Sequence, residues 1–163
     1  MRPVDFERHK MTSTVQKIII GSAAVVLLGL FVAGLLMGAA VYGWKKAQRA
    51  GNEAATIQNV KTVAAVEIQY YDTHNRNFGT FEQLIKEQML TSRFTGNPPD
   101  LDGYILNLKV TPKTSNHPSS YTLNADFESE ATGRRHFYID SISATIHVNP
   151  DQPASATDPP LGD

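Results

Sequence analysis

Apolar and polar positions divide the chain into three kinds of stretch. From Ile18 to Gly43 the residues are apolar or small, with no charge and no proline, between Lys17 on one side and Trp44-Lys45-Lys46 on the other. From Ala47 to Tyr71 apolar residues recur every third or fourth position, at Ala47, Ala50, Ala54, Ile57, Val60, Ala64, Ile68 and Tyr71. That spacing marks a helix with one buried face. From Tyr104 onward the period falls to two, with Tyr104, Leu106, Leu108 and Val110 facing one way and Tyr121, Leu123, Ala125 and Phe127 repeating the pattern. Alternation of this kind marks half-buried strands.

The 26 residues of the first run reach roughly 39 Å as a helix, against a hydrocarbon core of ~30 Å. Apolar residues lie on every side, so a soluble buried helix would need cover all round. A signal peptide carries an apolar region of only about 7–15 residues. Residues 18–44 therefore read as a transmembrane helix, preceded by a short, loose cytoplasmic segment at 1–17. Small residues recur along the span: Gly34 and Gly38 form a GxxxG, flanked by Gly29 with Ala33 and by Ala39 with Gly43. Such spacing lets two helices pack closely in lipid, although glycine and alanine are also common in membrane helices generally.

Nothing breaks the helix after Trp44; Gly51 weakens it by about 1 kcal/mol relative to alanine but does not end it. The pattern predicts one helix of about fifty residues, from Lys17 to Tyr71. Ala54, Ile57, Val60, Ala64, Ile68 and Tyr71 are assigned to the face that packs on the domain, and Lys46, Arg49, Glu53, Gln58, Lys61 and Glu67 to a solvated face. The polar cluster from Asp72 to Asn77 ends the helix. Thr80 and Gln83 form a T-x-x-Q capping box that opens a short helix over 81–90, with Phe81, Leu84, Ile85 and Leu90 as packing residues. Four strands follow, at 104–110, 121–127, 135–139 and 144–148. One-sided alternation implies an antiparallel sheet with one buried face, and the amphipathic half of the long helix is its natural cover.

The fold class is thus α+β: a long helix, first transmembrane and then amphipathic, packed on a small four-stranded antiparallel sheet. The domain occupies 45–148, with its helix at 45–71 and its sheet at 103–148. Residues 149–163 hold four prolines and are expected to be extended or disordered.

Charge refines this picture. Residues 1–50 carry seven Lys/Arg against two Asp/Glu, whereas residues 51–163 carry eight against fourteen. The acidic domain argues against a nucleic-acid partner. Four basic residues precede the span (Arg2, Arg8, Lys10, Lys17) and three follow it (Lys45, Lys46, Arg49), which favours a cytoplasmic N-terminus. With no cysteine there is no disulfide and no thiolate metal site.

The order of elements resembles type IV pilins and type II secretion pseudopilins, in which a long N-terminal helix carries a small antiparallel sheet. Tyr70, Tyr71, Phe78, Gly79, Thr80 and Leu84 carry a local likeness to the family's helix end, with its Phe/Tyr-Gly-Thr-x-x-x-Leu turn. The stretch RRHFYIDSISATIHVNPDQPASATDPPL is similar to the closing strands and Asp-Pro-Pro tail of some pilin-like proteins. Together these cover roughly residues 44–163. The resemblance implies a structural or interaction component of a pilus or secretion assembly, in the inner membrane, with its domain outside the cytoplasm. The partners it implies are membrane lipid and other pilin-like or assembly-platform membrane proteins. A homo-oligomer through the transmembrane helix is compatible with the small-residue spacing.

The front of the chain departs from the family. Prepilins are cleaved after a glycine that is followed by phenylalanine, with an acid five residues after the cut. Here Gly21 is followed by Ser22-Ala23-Ala24-Val25-Val26, and no Asp or Glu occurs from Thr12 to Asn52. The family's mid-span proline is missing too. The expectation is an unprocessed chain that retains residues 1–17 and does not join a filament by the usual rule.

Candidate chemistry is sparse. His9, His74, His117, His136 and His147 are scattered; His136 and His147 could face each other across strands, but no third ligand accompanies them. Ser119, Ser120, Ser141 and Ser143 lack a nucleophile-elbow context. The pairs Glu128/Glu130 and Asp100/Asp102 read as charged turns. Some pseudopilins hold calcium with C-terminal loop oxygens, a role for which Asp140, Asp151 and Asp158 match no diagnostic spacing. No catalytic residue, metal ligand or cofactor is assigned. The rival readings are a tethered enzyme or ligand-binding domain, and a sensor whose first residues meet a cytoplasmic partner.

Overall fold

The computed structural model describes the backbone of residues 3–162 and the side chains of residues 27–162. The chain forms two compact units, Met1–Trp44 and Lys45–Asp163. One helix, α1 (Pro3–Thr73), contributes to both. Proline suits its first position, where a missing N–H leaves no helical bond unmade. The expected loose segment at 1–17 is therefore corrected from Pro3 onward, where the backbone is helical. Residues 1 and 2, the side chains of Arg8, His9, Lys10 and Lys17, and those of the Gly21–Val26 stretch lie outside the described residues.

In the first unit every residue from Leu27 to Trp44 is exposed, Phe31 to 66% and Trp44 to 71%. So continuous an apolar exposure is stable in hydrocarbon and unfavourable in water. Among the described residues α1 is the one helix long and apolar enough to cross a bilayer.

In the second unit, α1 from Lys45 to Thr73 is followed by α2 (Phe81–Lys86), a single 3-10 turn (Ser92–Phe94) and five strands. These are β1 (Asp100–Leu101), β2 (Tyr104–Thr111), β3 (Ser120–Phe127), β4 (His136–Asp140) and β5 (His147–Asn149). The sheet is an antiparallel meander in chain order, so it has five strands and not four. The additional strand, β1, is two residues long and pairs Leu101 with Tyr104 and Asp100 with Ile105. Register follows the alternation: Leu106 opposes Ala125, Leu108 opposes Leu123, and Ala125 opposes Phe137. Tyr104, Leu106, Leu123, Ala125, Phe137 and Ile139 are buried on one face with Val60, Val63 and Tyr70 of α1 and Leu84 of α2.

Thr80 caps α2 as expected: its hydroxyl accepts from Gln83 N, and the Gln83 side chain accepts from Thr80 N. The helix stops at Lys86, short of Leu90, because Gln88 takes a left-handed backbone and Leu90 N turns back to Leu84 O. Phe81, Leu84 and Leu90 are buried, and Ile85 is half-buried.

The tail is ordered, against expectation. Val148 N donates to Pro159 O at 2.9 Å, Leu161 N donates to Ile146 O at 2.7 Å, and Asn124 Nδ2 donates to Ala154 O at 2.8 Å. Ala154 is buried. Prolines here supply turns and acceptor carbonyls, which close the outer edge of β5 without needing N–H donors of their own.

Candidate functional site

Two carboxylates on α1 fix the second unit. Glu53 and Glu67, expected on a solvated face, are both buried. Glu67, fully buried, accepts from Gly79 N at 2.9 Å through Oε2, while Oε1 meets no partner. Burial pushes its carboxyl up to about 7, against a smaller downward pull from the Gly79 N–H. Glu53 accepts from Arg134 N at 3.1 Å and holds the Arg135 guanidinium through Nε and Nη2, each at 2.8 Å. Asn52 Nδ2 donates to Thr132 O at 2.9 Å beside it, so one helical turn holds the whole β3–β4 loop.

These contacts displace the packed stripe. Among the described residues of α1, the buried positions are Glu53, Thr56, Asn59, Val60, Val63, Glu67 and Tyr70. Of the residues expected to pack, Val60 is buried, and Ile57 and Ala64 are half-buried against the core. Tyr71 is half-buried and stacks on Phe78 at 4.6 Å. Ala54 and Ile68 do not pack; both are exposed, Ile68 to 56%. The helix is turned so that its carboxylates reach loop N–H groups, and that turns Ala54 and Ile68 outward.

At the far end of α1 lies a hollow of about 610 Å³ lined by Tyr70, His74, Asn77, Phe78, Val110 and Pro112, among others. His74 stacks on Tyr70 at 3.7 Å, and Phe78 meets the Tyr121 ring edge-on at 4.9 Å. Gly79 is required by close approach, since a Cβ there would lie 2.9 Å from Leu84 Cδ2 and 3.1 Å from the Tyr70 ring. The Phe78-Gly79-Thr80 run thus has three structural tasks: an aromatic plug, a donor to Glu67 and the cap of α2.

The remaining candidates are engaged in local structure. His136 Nδ1 lies 2.7 Å from Asp126 Oδ1. His147 Nδ1 donates to Asp158 O at 2.6 Å, leaving its Nε2 buried without a partner. His136 opposes Asn149 and His147 opposes Tyr138, so the two histidines are offset by two residues. Burial acts to raise the Asp140 carboxyl, but donors from Ser143, Ile142 and Tyr138 outweigh it and hold the group below its ordinary value. Asp158 is likewise lowered, first by the Ser155 hydroxyl and N–H and then by Asn149. Those oxygens shape the β4–β5 turn and the tail. Asp151 is exposed, and its N–H donates to Asn149 Oδ1 at 2.9 Å. No group of three or more His, Asp or Glu is arranged to hold a metal among the described residues.

The small residues of the apolar stretch are exposed, and nothing lies within 4 Å of where a Cβ would sit on Gly29, Gly34, Gly38 or Gly43. Ala33 and Ala39 share that exposure. Comparison with protein-family models, with curated proteins and with solved structures finds no match to the chain.

Proposed function

We propose that the chain is a membrane-anchored, pilin-like structural and interaction component of a type IV pilus or type II secretion assembly. One observation carries the reading: α1 runs unbroken from an exposed apolar stretch into the helix that covers an antiparallel sheet. That order of elements, with the Phe78-Gly79-Thr80 turn at the end of α1, is the likeness on which the proposal rests. The chain then sits in the inner membrane with its N-terminus cytoplasmic and its domain outside. Its partners are lipid and other pilin-like or assembly-platform proteins, with self-association along the Gly/Ala spacing of the span. Electron microscopy of sheared surface material, labelled with antibody to the domain, tests filament membership; label confined to the cell membrane removes it.

A second reading is favoured by a specific observation, the absence of Asp or Glu from Thr12 to Asn52 together with the missing Gly-Phe cleavage pair. On it, the chain is an unprocessed, non-polymerising membrane-tethered accessory or ligand-binding domain. N-terminal sequencing of membrane-extracted protein separates the two. A new terminus within residues 18–30 excludes the unprocessed form.

A further inference from the structure

The two edges of the sheet are treated differently. The outer edge of β5 is closed by the tail. At the other edge β1 covers only the start of β2, its pairing ending at Ile105, with one more bond from Leu106 N to Pro99 O at 2.9 Å. Antiparallel ladders alternate, so residues that do not bond β3 direct their N–H and C=O to the opposite side. Leu106 bonds outward, hence Leu108 and Val110 do too. Their four main-chain groups meet no partner among the described residues.

Two hollows run along that edge. One, of about 270 Å³, is lined by Leu106 to Lys109 of β2 and by Pro98 and Phe81 opposite. The other is the 610 Å³ hollow, which continues the line with Val110 and Pro112. Thr80 borders both, so the two hollows lie in succession beside the β2 edge, an interrupted trough next to the start of α2. Sequence alternation puts Leu108 and Val110 toward the core and Lys109 toward solvent, where it is exposed.

We propose that the β2 edge from Leu106 to Val110 is a strand-addition site for an extended segment of a partner protein, with the pattern apolar–acidic–apolar. The segment lies antiparallel to β2. Its two apolar residues sit opposite Val110 and Leu108, exchange main-chain hydrogen bonds with them, and turn their side chains into the trough. Its acid sits opposite Lys109 on the outer face, where a non-hydrogen-bonded pair brings side chains closest. Glu82 on the far wall keeps acids out of the inward positions. A second copy pairing through the same edge in the register that opposes Leu108 to Val110 would set Lys109 against Lys109, which like-charge repulsion disfavours. Main-chain bonds supply affinity and the alternating side chains supply selectivity, as in other strand additions. The inference depends on the edge and the trough, not on the filament reading.

The test uses the full chain in detergent micelles and a rhodamine-labelled peptide, Thr-Val-Glu-Val-Thr, followed by fluorescence anisotropy and by amide exchange at Leu108 and Val110. The peptide is expected to bind and to slow exchange at those two amides. N-methylation of both valines removes the two donors and is expected to weaken binding more than about tenfold. Lys109→Glu is expected to weaken the same peptide about threefold to tenfold and to favour its Glu→Lys counterpart instead. No binding at about 1 mM peptide overturns the proposal. Equal binding of the N-methylated peptide overturns it as well, and so does concentration-dependent protection of the two amides without peptide, which would make the edge an interface between copies.

Discussion

Glu67 gives the sharpest quantitative prediction. In the unfolded chain its carboxyl has the ordinary value of 4.5, and in the fold burial moves it to about 7. Below pH 4.5 both states carry the proton, and the acid has no pH-dependent effect on stability. As pH rises through the interval, the unfolded chain ionises while the fold retains its proton, so stability falls with pH. At about 1.4 kcal/mol per pH unit the loss totals about 3 kcal/mol and levels off above pH 7. Glu67→Gln keeps an oxygen for the Gly79 N–H and cannot ionise. It is expected to be about 3 kcal/mol more stable than the unaltered chain at pH 8, with the difference shrinking to just under about 1 kcal/mol at pH 5. The assay is urea unfolding of both proteins in micelles at pH 5, 6, 7 and 8, read by the near-ultraviolet dichroism of buried tyrosines. Burial pushes Tyr104 and Tyr121 up to about 12, so both stay neutral throughout and the signal is comparable across the series. Subtracting one protein from the other removes every titration the two share. A difference that stays flat with pH, or a variant less stable at pH 8, refutes the assignment of a buried, proton-holding Glu67.

Other perturbations probe separate parts of the fold. Gly79→Ala forces a methyl against Leu84 and the Tyr70 ring and is expected to destabilise by about 1–3 kcal/mol, measured by the same unfolding experiment. Deleting residues 150–163 uncovers β5; hydrogen exchange should accelerate first at Val148, whose N–H loses the Pro159 carbonyl, and unchanged exchange there would contradict the tail's role. Leu36→Arg places a charge within the apolar run and is expected to oppose insertion by about 3 kcal/mol, seen as a larger fraction extracted from membranes by alkaline carbonate.

Much of this architecture is legible in the sequence because periodicity reports burial. The alternation at Tyr104–Val110 and Tyr121–Phe127 matches β2 and β3 nearly residue for residue, and the Thr80–Gln83 spacing marks the start of α2. Patterning fails where polar residues face inward. Glu53 and Glu67 count as solvent-facing on any hydrophobic scale, yet each is held by loop donors 12 to 82 positions away, a distance no local window spans. Reading them as exposed turned the assigned stripe toward Ala54 and Ile68. β1 is too short to show a period. The tail's order comes from Asn124 bonding to it and from Asn149 bonding Asp158 within it, in a proline-rich segment whose composition alone suggests disorder. Of the candidate site, the residues Phe78, Gly79 and Thr80 stand out in the sequence, but the buried acid that the glycine serves does not.

The tail that lies along β5 also sets how far the sheet can grow. Edge-to-edge stacking needs two receptive borders on every molecule, one to accept and one to offer. Here His147 bridges to Pro160 and Val148 donates to Pro159, so one border is stoppered by the chain itself. A strand gained at β2 has no counterpart at β5 to carry the addition onward. Any association through this sheet's edges would therefore terminate after a single partner, and a longer assembly would have to use some other surface.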